Sequence, residues 1–472
     1  VLSGRKRPDV VILTTQVNVY SNLFMVKYFK KIVLIAIGIF CFGVQTLYAQ
    51  IVQPVHIQEL ENHRNDIIPY SEIDRQVTTQ PQPSNRSRNL NSEIIGYLPY
   101  WMYSVYPDLR YDLLTQINYF SAELNQYGDI INSHNWANLG FIEYAQSQGV
   151  KVKLTAVLFD ADDLTTLLSS GVHRQNAINN LLAAVTDVNA DGVDIDFETL
   201  PLHQRENLVT FMTDLVETFH SQVPESVVTM ATPPVDWSGA WDYNSLANIT
   251  DGLFIMGYNY HWSGSGSAGP VSPLGGFYYD IEYTVDDYLY YTNNNSEKLI
   301  LGLPYFGYDW PVENDNMYSP TTGIASSRTY SSVQELASIQ GSVWDESSNS
   351  QWIPYFDDQW RQCWYDDSLS LSGKYAFANN RQLSGIGIWA LGYDDGFDEL
   401  WEALETQFSD CESTGDVNLD GSLDILDIIV MVANILEELT LSETQFCQGD
   451  INSDSIINIS DIIIIISLIL DS

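Results

Sequence analysis

The residues best suited to chemistry are three carboxylates spaced two apart in Asp191-Gly192-Val193-Asp194-Ile195-Asp196-Phe197-Glu198. Val193, Ile195 and Phe197 alternate with Asp194, Asp196 and Glu198, so the period is two and the stretch reads as a strand with one apolar face and one acidic face. Like charges packed that closely cannot all ionise cheaply, so at least one pKa must rise. A carboxylic acid still protonated near neutral pH is what general-acid catalysis requires. A solvated acidic strand or a cation site is the alternative. Against it stand the interleaved apolar residues and the loop Thr199-Leu200-Pro201 that follows. Asp191 has the wrong parity to join the other three and is expected to be structural.

The surrounding elements must hold such a row of acids at a strand end. Short apolar runs recur at Ile94–Tyr100, Ile117–Ala122, Val150–Phe159, Gly192–Glu198, Val227–Pro233, Gly252–Tyr260, Leu299–Phe306 and Gly385–Leu391. Segments of helical periodicity, such as Arg174–Val188 and Gln204–Phe219, lie between most of them. Eight strand-like runs alternating with helices across residues 94–410 predict an α/β fold, a (β/α)8 TIM barrel with insertions. In that fold active-site groups stand at the C-terminal ends of the strands, where Glu198 falls. The stretch from about residue 309 to 375 is rich in Trp and Tyr and too long for a plain loop, so an insertion between strands 7 and 8 is expected.

The spacing D-x-x-D-x-D-x-E resembles the signature of glycoside hydrolase family 18, the chitinases and their relatives, with every position filled. Gly96-Tyr97 resembles the family's opening strand, Met256-Gly257-Tyr258-Asn259 its M-x-Y-D motif, and Gly387-Ile388-Trp389-Ala390-Leu391-Gly392-Tyr393 the strand whose tryptophan floors the sugar site. There are two departures. Asn259 stands where Asp is usual, and the third run, Lys153-Leu154-Thr155-Ala156-Val157-Leu158-Phe159, lacks S-x-G-G. The resemblance implies a retaining, substrate-assisted glycosidase acting beside N-acetylglucosamine. Glu198 is then the acid and later the base, Asp196 orients the acetamide, Asp194 tunes Asp196 by sharing a proton or hydrogen bond, and Tyr258 donates to the acetamido oxygen. Trp389 stacks on the sugar, with Tyr97, Asn259 and Met256 as further substrate-binding positions. It also implies that catalysis needs no cofactor. The expected activity is an endo-acting chitinase; peptidoglycan, the chitobiose core of N-glycans, and a non-catalytic glycan-binding role are alternatives.

Composition bounds the rest. The chain has 472 residues, 45% of them hydrophobic and 12% aromatic, which is ample for a packed core. A formal net charge of −41 would repel phosphates and excludes nucleic acid and anionic membranes as natural partners. Seven histidines show no H-E-x-x-H spacing. Residues 1–24 are expected to be an upstream extension. Met25–Ala49 reads as a secretory signal peptide, with basic Lys27, Lys30 and Lys31, an apolar run from Ile32 to Val44 and a cleavage site after Ala49. This predicts a secreted, extracellular or surface-associated protein with no membrane span in the mature chain. Residues 50–93, containing Gln80-Pro81-Gln82-Pro83-Ser84, are expected to be a polar linker or propeptide-like segment. Cys411 and Cys447 could pair, while Cys363 is expected to be a buried free thiol.

Residues 411–472 carry a duplication. Asp416-Val417-Asn418-Leu419-Asp420-Gly421 recurs as Asp450-Ile451-Asn452-Ser453-Asp454-Ser455, with Asp427 and Asp461 at the twelfth position of each copy. Oxygen ligands at positions one, three, five and twelve form a calcium loop, and each copy runs into an apolar helix at Ile428–Leu436 and Ile462–Leu470. The duplicated half-EF-hand resembles a type I dockerin, a small all-α module. This implies Ca2+ at Asp416, Asn418, Asp420, Asp427, Asp450, Asn452, Asp454 and Asp461, and a cohesin-like or cell-surface scaffold as partner. Ile425-Leu426 and Ile459-Ser460 fill the positions where cellulosomal dockerins often carry Ser-Thr.

Overall fold

A computed structural model describes residues 54–77, 90–409, 413–436, 439–441, 443–452 and 456–471. The expected extension and signal peptide, together with Cys41, Cys411 and Asp454, lie outside the described residues.

Eight parallel strands close into a barrel: β1 Glu93–Pro99, β2 Gln116–Leu124, β3 Lys151–Val157, β4 Gly192–Asp196, β5 Val227–Thr232, β6 Gly252–Met256, β7 Leu299–Pro304 and β8 Gly385–Trp389. Each pairs with its chain neighbour, and β8 pairs with β1 (Ile94 opposite Ile386), which removes both sheet edges. Each of the eight apolar runs overlaps one strand. Their outward residues pack under helices. Phe197, just beyond β4, stacks on Phe211 of the helix Arg205–Gln222 with ring centroids 5.6 Å apart. The interior is filled by side chains such as Phe254, for which Gly302 and Gly387 make room; a Cβ at Gly387 would stand 1.9 Å from that ring.

The insertion is a five-stranded antiparallel sheet, in the order Ser326–Thr329, Phe306–Pro311, Gln359–Tyr365, Ser350–Asp357 and Val343–Asp345. Several of its aromatic residues are core: Trp352 stacks on Trp364 and Trp364 on Tyr318. Buried Asp309 accepts hydrogen bonds from Arg328, Arg361 and Tyr355, which compensates its charge.

The segment read as a polar linker or propeptide-like stretch contains helical structure. Within it, Val55–His63 forms helix α1 and Tyr70–Gln76 forms helix α2. Val55 and Leu60 are buried in the barrel's own hydrophobic core. The segment shows no sustained helical period because its helices are short and two of its four buried residues, His56 and Glu59, are polar.

A second, separate core of Val417, Met431, Ile457, Ile462 and Ile465 joins the C-terminal helices Ile425–Ile435 and Ile459–Asp471. In the first loop Asp427 caps its helix, accepting from the backbone N–H of Asn418 and of Asp424. In the second, Asp461 accepts from Asn452 and Asn458 in the same manner. Gly421 turns the first loop at φ +84°, a region that favours glycine. Cys447 is disulfide-bonded, with its partner outside the described residues, and Cys363 is a buried free thiol.

Candidate active site

Strand β4 and the two residues beyond it deliver the three carboxylates to the C-terminal mouth of the barrel, and all three are buried. Asp194 lies deepest. Both its oxygens are taken: Oδ2 accepts from the Tyr97 hydroxyl of β1 at 2.7 Å and Oδ1 from the Thr229 hydroxyl of β5 at 2.5 Å. The Lys153 ammonium of β3 donates to Thr229 at 2.6 Å. Burial holds the Lys153 pKa down at about 8, against the attraction of Asp194. Burial also raises the Asp194 pKa, opposed by Lys153 and by its two hydroxyl donors. Asp194 is therefore held by Tyr97 and Thr229 and makes no hydrogen bond to Asp196. Tyr97 acts on Asp194 rather than on the open mouth.

Asp196 and Glu198 stand above it, on the same face of the chain. Burial first and the adjacent Asp196 charge second raise the Glu198 pKa, His56 pulls it down, and the balance stands at about 7. A carboxyl group half protonated at neutral pH is a competent proton donor. Tyr258, just past β6, has a hydroxyl pKa raised well above the ordinary value, by burial first and then by the Asp196 and Glu198 charges. It remains a neutral hydrogen-bonding group. Trp389 ends β8 as a fully buried ring, and Met256 ends β6 as a buried apolar residue. Asn259 adopts φ +63° immediately after Tyr258. Among the described residues, Asp196 Oδ1, Asn259 Oδ1 and Trp389 Nε1 are buried without a hydrogen-bond partner. Unpaired polar atoms gathered at one strand-end face suit a polar ligand. Asp191 lies outside this group: its Oδ2 accepts from the Val152 N–H and the Gln146 side chain, tying β4 to its neighbours.

Besides Thr229 and Lys153 behind Asp194, the sequence reading missed a residue that faces the catalytic pair. His56, from α1, is fully buried between the carboxylates. Its Nδ1 donates to Asp196 Oδ2 at 2.7 Å and lies 3.3 Å from Glu198 Oε1, an ion-pair distance; its Nε2 donates to the Tyr258 hydroxyl at 2.9 Å. The ring lies 3.8 Å from Trp389, tilted by 31°. Burial would lower the His56 pKa, yet the charge and hydrogen bond of Asp196, with those of Glu198, outweigh it and raise the value to about 10. The ring is thus an imidazolium. Ligand atoms of His56, Asp196 and Glu198 lie within 4.8 Å of one another, a spacing that could also hold a metal ion once the Nδ1 proton is lost. Nothing local marks His56 in Pro54-Val55-His56-Ile57-Gln58; its partner Asp196 lies 140 residues away.

The opposite mouth of the barrel holds an open depression of about 820 Å³ lined by strand starts, including Glu93, Gln116, Lys151 and Val227. Barrel enzymes place their chemistry at the other end, and the paired acids do so here.

Comparison with known proteins agrees with the geometry. The profile for glycosyl hydrolases family 18 matches residues 93–394, and that for the dockerin type I domain matches residues 414–470. The cortical fragment-lytic enzyme of Bacillus subtilis (strain 168) is 25% identical over 357 residues, covering 73% of this chain and 77% of that protein. The di-N-acetylchitobiase of Rattus norvegicus is 27% identical over 302 residues, covering 55% and 78%. A GH18 chitinase from Cycas revoluta, solved in complex with (GlcNAc)3, shares the fold with a TM-score of 0.61 at 20% identity, covering 67% of this chain and 99% of its own.

Proposed function

Because the chain belongs to glycosyl hydrolase family 18 and is a glycoside hydrolase carrying a type I dockerin domain, we propose that it cleaves β-1,4 bonds next to N-acetylglucosamine, in chitin or chitooligosaccharides, by a retaining, substrate-assisted route. The observation that carries this reading is the pairing of Glu198, whose pKa is raised to about 7, with Asp196, whose charge acts on it at the end of β4. Family 18 belongs to the substrate-assisted exceptions to the two-carboxylate scheme, so the substrate's own acetamide is assigned as the nucleophile. The protonated Glu198 gives its proton to the glycosidic oxygen as the C1–O bond breaks, and the acetamido carbonyl oxygen bonds to C1 as an oxazolinium ion. Asp196 accepts the acetamido N–H and offsets the new positive charge, while the Tyr258 hydroxyl donates to the acetamido oxygen. The Glu198 carboxylate then takes a proton from water, whose oxygen attacks C1 and opens the ring with configuration retained. Asp194, fixed by Tyr97 and Thr229, holds a second carboxyl group behind Asp196 on the same strand. Trp389 offers its face to the sugar, and Asn259 offers Oδ1 as an acceptor without carrying charge.

A second reading, hydrolysis of peptidoglycan, is favoured by the similarity to a cortical fragment-lytic enzyme. Product analysis on N-acetylchitohexaose and on peptidoglycan fragments separates the two. The chain would be used with His56→Ala, alone and combined with Glu198→Gln. Shorter N-acetylated oligomers from the single variant only are expected; turnover by the Glu198→Gln chain would refute the assignment of the acid.

The dockerin domain implies attachment to a cohesin scaffold. We assign calcium to Asp416, Asn418, Asp420 and Asp427 in the first loop and to Asp450, Asn452, Asp454 and Asp461 in the second, all hard oxygen donors suited to that ion. Asp416 already draws in the N–H groups of Asp420 and Gly421, folding the first loop around its carboxylates. Ile425 and Ile459 are 66% and 71% exposed, an apolar pair at matching positions of the repeat that suits a protein partner. With the leader-like N-terminus, this supports a secreted or surface-attached enzyme.

A further inference from the structure

We infer that the segment Pro54–Val77 is a built-in inhibitor of this hydrolase, with His56 occupying the place of the substrate's N-acetyl sugar at the catalytic carboxylates. The inference rests on the sugar site proposed above. Most of the groups assigned there to the reacting sugar are engaged by His56: Asp196 by Nδ1, Tyr258 by Nε2, Trp389 by the ring face, and Glu198 at an ion-pair distance of 3.3 Å, with Asn259 left out. Sugar and imidazole cannot occupy that volume together. The imidazolium also reproduces the chemistry of the intermediate. It is a flat cation with an N–H aimed at Asp196, as the oxazolinium ion would be, and groups arranged to stabilise a cationic transition state bind such a mimic well.

The rest of the segment is fitted to the cleft. Gln58 donates to Ser263 in the loop after β6 at 2.9 Å. Glu59, almost fully buried, accepts from Ser327 of the inserted sheet at 2.5 Å and from Tyr393 after β8 at 3.0 Å. Tyr100 donates to the His63 carbonyl at 2.7 Å, and the His63 ring stacks on Trp101, 4.5 Å away and 7° from parallel. Asp74 fastens the far end, accepting from Tyr103, Tyr106 and the Gly140 N–H. A buried histidine and a buried glutamate, each with specific partners on several loops, are costly to desolvate unless the site is built for them. The segment belongs to the same chain as the barrel, so its competition with sugar is intramolecular. Displacement of the segment is therefore what opens the enzyme.

The test uses the full chain with a recognition sequence for a specific endoprotease inserted between Thr78 and Asn89, with and without His56→Ala. Turnover of a fluorogenic N,N′-diacetylchitobioside is followed before and after the cut, and the cut protein is run on size exclusion with and without tri-N-acetylchitotriose. The uncut wild-type chain is expected to be at least tenfold slower in kcat/KM than the cut chain cleared of its segment. His56→Ala should bring the uncut chain close to the cut one. Equal rates before and after cutting, or a His56→Ala chain slower than wild type, would overturn the inhibitor. If no form turns over any N-acetylglucosamine glycan, the proposed function is what fails, and elution then decides. A cut segment that stays with the wild-type barrel but leaves the His56→Ala barrel sustains the docking role; one that leaves both at once refutes it.

Discussion

The alkaline limit of activity should be set by Glu198 and should move when its neighbours change. Burial and the Asp196 charge raise its pKa from 4.5 to about 7, a shift that corresponds to roughly 3 kcal/mol of preference for the neutral acid. At pH 7 about half of the molecules then hold the catalytic proton, against roughly 0.3% for an unshifted carboxyl. The environment of β4 therefore supplies a gain of about two orders of magnitude in competent acid. The assay is kcat/KM against pH on the fluorogenic chitobioside, since that ratio reports the free enzyme's groups. The limb should fall through a midpoint near 7. His56 lowers the Glu198 pKa by its charge and hydrogen bond, so His56→Ala should move the limb to higher pH. Asp196→Asn removes a charge that raises it and should move the limb lower, on a much reduced rate. An alkaline limb at the ordinary carboxyl value, or one that ignores both substitutions, would refute the assignment of Glu198 as a buried, field-tuned acid.

Docking of the cut segment should weaken with rising pH: His56 has its pKa raised from 6.5 to about 10, so its contribution is complete below about 6.5 and is lost as pH climbs through about 10. Equilibrium retention of the segment on the barrel, measured across that window, checks the sign. Asp191→Ala should cost about 2–3 kcal/mol of stability in a urea titration, through loss of its bonds to Val152 and Gln146, while kcat stays unchanged. Chelation of calcium should make residues 413–471 protease-sensitive, because their small core stands apart from that of the barrel. The barrel's melting temperature should not move with chelator.

What the sequence determined by itself is whatever repeats at short range. Strict alternation through Asp194, Asp196 and Glu198 defined both faces of β4, and the eight apolar runs were enough to place eight strands. The duplicated Asp-x-Asn-x-Asp loops announced their own architecture. Each of these depends on spacings within one element, where backbone geometry alone dictates which side chains share a face. The tertiary structure decided what meets across the barrel. That Asp194 is held by Tyr97 and Thr229, with Lys153 behind them, follows from strand closure and from no local pattern. That His56 reaches Asp196 follows from folding α1 back onto the mouth. Its burial is made favourable only by charges far along the chain, and a polar stretch without periodicity carries no trace of partners it meets only in three dimensions.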